Sequence, residues 1–131
     1  MGSGPQPTDT VESVMIRAET GCLLGTRACD VLDVLERLDL EYMPVVDSFV
    51  TRLPVGIVAR RDLRRLVAAE PKDARVAQVL TAGVPTVGPQ ARLWQLGDRL
   101  TAIPAVLVVD QAGALVGYLD LARLRRIWRE P

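Results

Sequence analysis

The sequence contains no histidine. That absence removes imidazole metal ligands, Ser-His-Asp triads and Cys-His dyads together. Only two cysteines occur, Cys22 and Cys29. Two are too few for a disulfide scaffold, and both are expected to act as small hydrophobes. Aromatic residues make up 4% of the chain, and neither sign of charge is in excess, with 16 basic against 16 acidic residues. No net field therefore draws the chain toward nucleic acid or membrane, and the scarce aromatics also count against base stacking. The longest apolar run, AVLVV at 105–109, is far short of the roughly 20 residues of a transmembrane helix. No stretch has the layout of a signal peptide. The expected setting is cytoplasmic, as a protein or as a cytoplasmic piece of a larger one, with no membrane insertion by this segment. Catalysis is not expected either. The acids are scattered, no metal cluster forms, and GTRACD and QAGALVG lack the spacing of a P-loop or a dinucleotide fingerprint.

What is present is a core and a repeat. The chain has 131 residues, 49% of them hydrophobic. That length favours one compact unit or two small, intimately packed ones. A domain near this size buries roughly 68–70% of its unfolded surface. Residues 1–10, MGSGPQPTDT, hold mostly Gly, Pro and polar side chains. They are expected to form a disordered tail, and MGSG has the composition of a tag remnant. Beyond them the chain aligns with itself. SVMI (13–16) matches QVLT (78–81), LLGTRA (23–28) matches TVGPQA (86–91), PVVD (44–47) matches LVVD (107–110), and VGIVARRDLRRL (55–66) matches VGYLDLARLRRI (116–127). The offsets of 65, 63, 63 and 61 drift as loops of different length require.

Each copy reads as β-α-β-β-α with a short first strand. An amphipathic helix carries Val31, Val34, Leu35 and Leu38 in the first copy and Leu93, Leu96 and Leu100 in the second, at spacings that share one face. Trp94 is expected to pack in that second helix. A β-branched strand follows, MPVVD or VLVVD. Its turn is the longer SFVTRL in the first copy and QAG in the second, where Gly113 suits a tight hairpin. The next strand, PVGIVA or LVGYLD, runs straight into the last helix. In the second copy that helix aligns Leu121, Leu124 and Trp128 on one stripe among arginines, a face for the core or for a dimer partner.

The repeat, PVVD followed by VGIV, and Asp62 closing the first strand-to-helix junction together resemble the cystathionine-β-synthase (CBS) domain; the tandem resembles a CBS pair, or Bateman module, over roughly residues 11–128. The resemblance implies an α+β fold of two pseudo-symmetric β-α-β-β-α motifs packed sheet to sheet as one module. It divides the chain into motif 1 at 11–70, a linker at 71–75 and motif 2 at 76–131. It also implies clefts between the motifs that take adenine nucleotides, a homodimer, and control of an attached or partner effector.

A strand that feeds a helix N-terminus presents free N–H groups and the positive end of a dipole, which is a ready anion site. The family pattern at this junction is Gly, apolar, any, Thr or Ser, any, any, Asp, with the hydroxyl on phosphate and the carboxylate on the ribose hydroxyls. The first copy keeps Gly56 and Asp62 and has Ala59 at the hydroxyl position, with Val58 before it also expected at the ligand. Arg60 and Arg61 flank that gap, and guanidinium suits phosphate. By the resemblance, adenine is expected between Leu23 and Leu24 on one side and Tyr42, Met43 and Pro44 on the other. The implied regulatory ligand is AMP, ADP, ATP or S-adenosylmethionine, with no tightly bound cofactor, metal or catalytic residue.

The second copy has Gly117, but Asp120 replaces the hydroxyl and Arg123 replaces the ribose-reading carboxylate. Asp120 is a good N-cap, and it puts negative charge where phosphate would lie. Arg123 has no acceptor for a sugar hydroxyl. This junction reads as converted to structure, with Asp120 and Arg123 satisfying each other one turn apart. Asp62 alone also suits the dipole of its helix, and the arginines of 60–65 also suit a solvated face. The competing reading is therefore a ligand-free dimerisation or scaffold module.

Overall fold

The structure is a computed structural model and describes residues 8–18, 21–97 and 104–128. Elements run in the expected order: α1 (Val11–Val14), β1 (Ile16–Arg17), β2 (Cys22–Leu23), α2 (Ala28–Leu38), β3 (Tyr42–Val46), β4 (Pro54–Ala59), α3 (Arg60–Ala69), a 3-10 turn (Val76–Val79), β5 (Thr86–Val87), a second 3-10 turn (Leu93–Leu96), β6 (Ala105–Val109), β7 (Leu115–Asp120) and α4 (Leu121–Trp128). The fold is α+β, with two sheets ordered β2-β3-β4 and β1-β7-β6-β5.

The period-2 apolar runs make the central hairpins. β3 pairs antiparallel with β4 and β6 with β7. Both ladders slip at the same place, between Val45 and Val46 and between Val108 and Val109, so the duplicated sequence repeats even its irregularity. Pro44 sits inside β3, which lies between two neighbours, yet β2 reaches only Val45 and Val46. No ladder bond on that side depends on the amide hydrogen that Pro44 lacks. Gly113 adopts φ 85° in the second hairpin, and its N–H donates to the Asp110 carbonyl at 2.9 Å, as a tight turn requires.

Three apolar clusters fill the interior. One joins α2 and α3 to the first sheet through Val31, Leu35, Val45, Val58 and Leu63. A second joins Val11, Leu93 and Leu96 to Val106, Leu119 and Leu121. The third lies between the sheets, with Val46 and Ile57 facing Ala105, Leu107, Leu115 and Tyr118. Polar ties cross between the halves beside them: the Tyr118 hydroxyl donates to the Tyr42 carbonyl at 2.8 Å, the Leu115 N–H donates to the Arg52 carbonyl at 2.8 Å, and the Arg52 guanidinium donates to the Leu115 carbonyl at 3.1 Å.

Several sequence expectations change. Val31 and Leu35 are buried, but Val34 is half-buried and Leu38 is 62% exposed, so the core stripe of α2 is narrower than its apolar face. Leu93–Leu96 is a 3-10 turn rather than the start of a regular helix. Leu93 and Leu96 are buried while Trp94 is 61% exposed, because side chains one residue apart leave a helical turn in different directions. Leu100 and the Trp128 side chain lie outside the described residues. Residues 8–10, at the end of the expected tail, run beside the second turn: Thr10 bridges Arg92, and the Leu93 N–H donates to the Asp9 carbonyl at 3.0 Å.

The lead-in segments are exchanged. β1 lies at the start of motif 1 but pairs with β7 of motif 2. Thr81 precedes the strands of motif 2 but bridges Ile57 of motif 1, with N–H···O distances of 3.0 and 2.9 Å. Each half is thus completed by the other's entry strand.

Candidate functional site

The two strand-to-helix junctions are built on one plan. The Arg60 N–H donates to the Glu41 carbonyl at 2.8 Å, and the Leu121 N–H donates to the Pro104 carbonyl at 2.9 Å. Each bond ties the first residue of a helix to the chain just before the neighbouring strand. The glycines of the two junctions lie under the exchanged lead-ins. A Cβ on Gly56 would stand 2.3 Å from the Thr81 carbonyl oxygen, and one on Gly117 would stand 2.6 Å from that of Ile16. Backbone fills the space a side chain would need. The glycine that the family pattern places near the ligand is required here by strand exchange.

The helix starts differ. α3 has no side-chain cap, because Ala59 stands at that position. At α4 the Asp120 carboxylate is 8% exposed, and its Oδ1 accepts from the Arg123 N–H at 3.1 Å. This corrects the expected pairing. Asp120 holds the amide of Arg123, and among the described residues no ion pair joins their side chains.

Beside each junction lies a cavity. Asp62 lines one of about 450 Å³ together with Arg65, Leu66, Ala69, Val79 and Leu80. Its counterpart, about 260 Å³, is lined by Asp120 and Arg123 from the junction, Leu119 and Leu124 beside them, and Val14, Met15 and Ile16 from the lead-in. Val79 and Leu80 match Val14 and Met15 at the repeat offset of 65, so the two cavities are pseudo-twofold equivalents. Each combines the junction of one motif with the lead-in of the other. A third cavity, about 420 Å³, lies beside the second junction and shares Ile16 with the cavity there. Tyr42, Met43, Cys22 and Tyr118 are among its walls, with Arg17 and Asp30 as its charges.

The sequence-predicted residues fall into groups. Asp62 is half-exposed over the first cavity, with Arg61 exposed beside it. Arg60 faces elsewhere: its guanidinium bonds Glu41 and, at 3.3 Å, Asp39. Val58 is fully buried in the first core, and Gly56 and Pro44 are buried in the hairpin. Tyr42 and Met43 line the third cavity rather than that of Asp62. Leu23 pairs with Val46, while Leu24 is 39% exposed and its carbonyl accepts from the Ala77 N–H at 3.0 Å. Sequence reasoning missed Arg65, Val79 and Leu80 beside Asp62, and Ile16 and Tyr118 beside Tyr42. The alignment of 13–16 with 78–81 held the signal, but not which sheet each segment would join.

The electrostatics follow burial. Burial pushes the Tyr42 hydroxyl up, helped by the charges of Asp120, Glu41 and Asp62 and opposed by Arg61. Tyr118 is pushed up as well, by burial and then by Asp120. Both tyrosines stay neutral donors at ordinary pH. Burial raises the Cys22 thiol to about 12, which leaves it unreactive. Among the described residues no cluster of His, Cys, Asp or Glu is arranged to hold a metal ion, and no helix is long and apolar enough to cross a membrane.

No protein-family model matches the sequence, and no curated protein matches it. Solved structures do resemble the fold. A putative acetoin utilization protein from Vibrio cholerae is 26% identical, with a TM-score of 0.72 over 92% of this chain and 90% of that one. CBSX2, a CBS-pair protein of Arabidopsis thaliana, in complex with AMP is 23% identical, with a TM-score of 0.69 over 89% of this chain and 93% of that one. The CBS domain pair of protein MJ0100, in complex with 5′-methylthioadenosine and S-adenosyl-L-methionine, is 18% identical, with a TM-score of 0.74 over 93% of this chain and 97% of that one. With its duplicated β-α-β-β-α halves, facing sheets and exchanged lead-ins, this chain has the fold of a tandem CBS pair, the Bateman module.

Proposed function

We propose that this chain is a non-catalytic regulatory module that senses an adenine nucleotide or another adenosyl compound at the first junction and controls an attached or partner effector. The observation that carries the reading is Asp62, in the first turn of the uncapped helix α3, on the wall of a cavity of about 450 Å³. The free helix terminus suits an anion. Asp62, an acceptor-only group, suits a pair of sugar hydroxyls. Val79, Leu80 and Leu66 supply an apolar wall. Arg65 lines the cavity and Arg61 is exposed next to Asp62, while Arg60 is held by Glu41 and Asp39. Complexes of the same fold with AMP and with S-adenosyl-L-methionine support this ligand class. A ligand bound across two halves shifts them only if it prefers one arrangement.

The test is a thermal-shift panel of AMP, ADP, ATP and S-adenosylmethionine on wild type and Asp62→Ala. Ligand at about 100 times its Kd adds roughly 2.7 kcal/mol. A rise with one ligand that disappears in Asp62→Ala supports the sensor. No rise with any of them rejects it. One observation favours the second reading, a ligand-free dimerisation module. Phe49, Val50 and Leu38 are 54%, 90% and 62% exposed, and such apolar surface marks an interaction site when contiguous. Sedimentation of wild type and Val50→Asp separates the two: a dimer lost in Val50→Asp, together with a flat ligand panel, selects the scaffold.

A further inference from the structure

The cavity at the second junction has chemistry of its own. Asp120 is the one buried charged residue among those described. One carboxylate oxygen is committed to the Arg123 amide. The other receives no hydrogen bond from a described residue. Since no fully buried polar side-chain atom among the described residues lacks a partner, this second oxygen is not fully buried, and Asp120 lines the cavity. The Arg123 side chain lines the same cavity, is exposed, and forms no ion pair among the described residues. Arg60, Arg64 and Arg37, by contrast, are each held by an acid. Asp120 and Arg123, three residues apart in the chain, thus line one cavity together with the apolar Met15, Ile16 and Leu119.

From this geometry we propose that the second junction binds a small zwitterion, an α-amino acid with an apolar side chain. Its ammonium pairs with the second oxygen of Asp120, its carboxylate takes the fork of Arg123, and its side chain lies against the apolar residues. An ammonium has only donors, a carboxylate only acceptors, and a guanidinium fork matches a carboxylate in two parallel bonds. Neither charge alone fits. A simple anion meets the Asp120 carboxylate, and a simple cation meets Arg123. A ribose finds no acceptor in Arg123. Size points the same way: about 260 Å³ lies below the roughly 300–1,000 Å³ of pockets for drug-sized ligands. The first cavity also holds an Asp and an Arg, but Asp62 there is half-exposed and the helix above it is uncapped. The proposal does not rest on the nucleotide reading of that first cavity.

The test is calorimetric titration of the full chain with leucine, isoleucine, valine and methionine. The controls are isopentylamine and 4-methylpentanoate, which are leucine without its carboxylate and without its ammonium, and AMP. At least one amino acid is expected to bind, with neither leucine analogue competing at equal concentration. Arg123→Gln is expected to weaken that binding roughly 10- to 100-fold, the range for losing a charged hydrogen-bonding group. Asp120→Asn, which keeps a good helix cap, is expected to weaken it similarly, and Asp62→Ala to leave it unchanged. Thermal melts check that each variant is folded. Absence of binding by all four amino acids overturns the proposal. So does affinity unchanged in Arg123→Gln, equal binding of either analogue, or binding of AMP that depends on Arg123.

Discussion

Single atoms decide much of this molecule. The two junction glycines hold their places because a carbonyl of the exchanged lead-in lies where a Cβ would be, 2.3 Å away at Gly56 and 2.6 Å away at Gly117. Backbone cannot swing aside as a side-chain tip can. Gly56→Ala and Gly117→Ala are each expected to cost about 1–3 kcal/mol, the usual range for overpacking, in urea denaturation; a loss under half of that at both sites would refute the close approach. Asp47 sets up a pH effect. Its Oδ1 accepts from the Thr51 hydroxyl at 2.7 Å and from the amides of Ser48 and Leu53 at 2.7 and 3.0 Å. The Thr51 bond most of all, then those amides, holds the carboxyl below its ordinary value. A depressed folded pKa means the unfolded chain binds the proton more readily. The contribution of Asp47 is therefore complete above the unfolded value of roughly 3.9. It disappears as pH falls through the folded value below that. The protection factor of the Leu53 amide, its exchange rate taken relative to the intrinsic rate at the same pH, is expected to fall across that acid window in wild type and to be low at every pH in Asp47→Ala.

At the scale of elements, the repeat gives a natural experiment in helix capping. α3 starts at Ala59 with no side-chain cap, while Asp120 caps α4. Replacing a good N-cap by Ala costs about 0.5–2 kcal/mol. Asp120→Ala is expected to lose an amount in that range, and Ala59→Ser to gain up to about 1 kcal/mol, both read from equilibrium unfolding. A destabilising Ala59→Ser would show that the α3 terminus is already satisfied in another way. The hairpins and junctions were legible in the sequence because their signals are local: alternating β-branched residues, Gly113 at a turn, Asp120 before a helix. α2 was legible in kind but not in width. Its face carries Leu38, which leaves the core, since tertiary contact and not periodicity decides how far a stripe is covered. The turn at Leu93–Leu96 reads as an α-helix in sequence because spacings of three fit both helix types. The cavity partners were not legible. A two-residue strand has too little pattern to say which sheet it joins, so Val79 and Leu80 could not be placed beside Asp62, nor Ile16 beside Tyr118.

That missing information concerns the whole molecule. Val11 and Met15, at the start of motif 1, pack with Leu93, Leu119 and Leu121 of motif 2. Ala74, Val76, Val79 and Leu80, after motif 1, pack with Leu35, Val58 and Leu63 of motif 1. The third cluster takes side chains from both sheets. Neither half owns a complete core, so neither can melt without exposing the other's apolar surface. The duplication is visible in the sequence as two units, but the energetics are those of one. Thermal unfolding is expected to be a single transition, with calorimetric and van't Hoff enthalpies equal. Removing residues 1–17 takes away β1 and Val11, so the loss begins in the second sheet although the residues removed belong to the first motif and the chain before it. Hydrogen exchange in that truncated chain is expected to rise first at the amides of β7, where Ile16 pairs with Tyr118 and Arg17 with Gly117. If the rise appeared first in β3 and β4 instead, the lead-in would belong to its own motif, and the exchange that forms both junction cavities would be wrong.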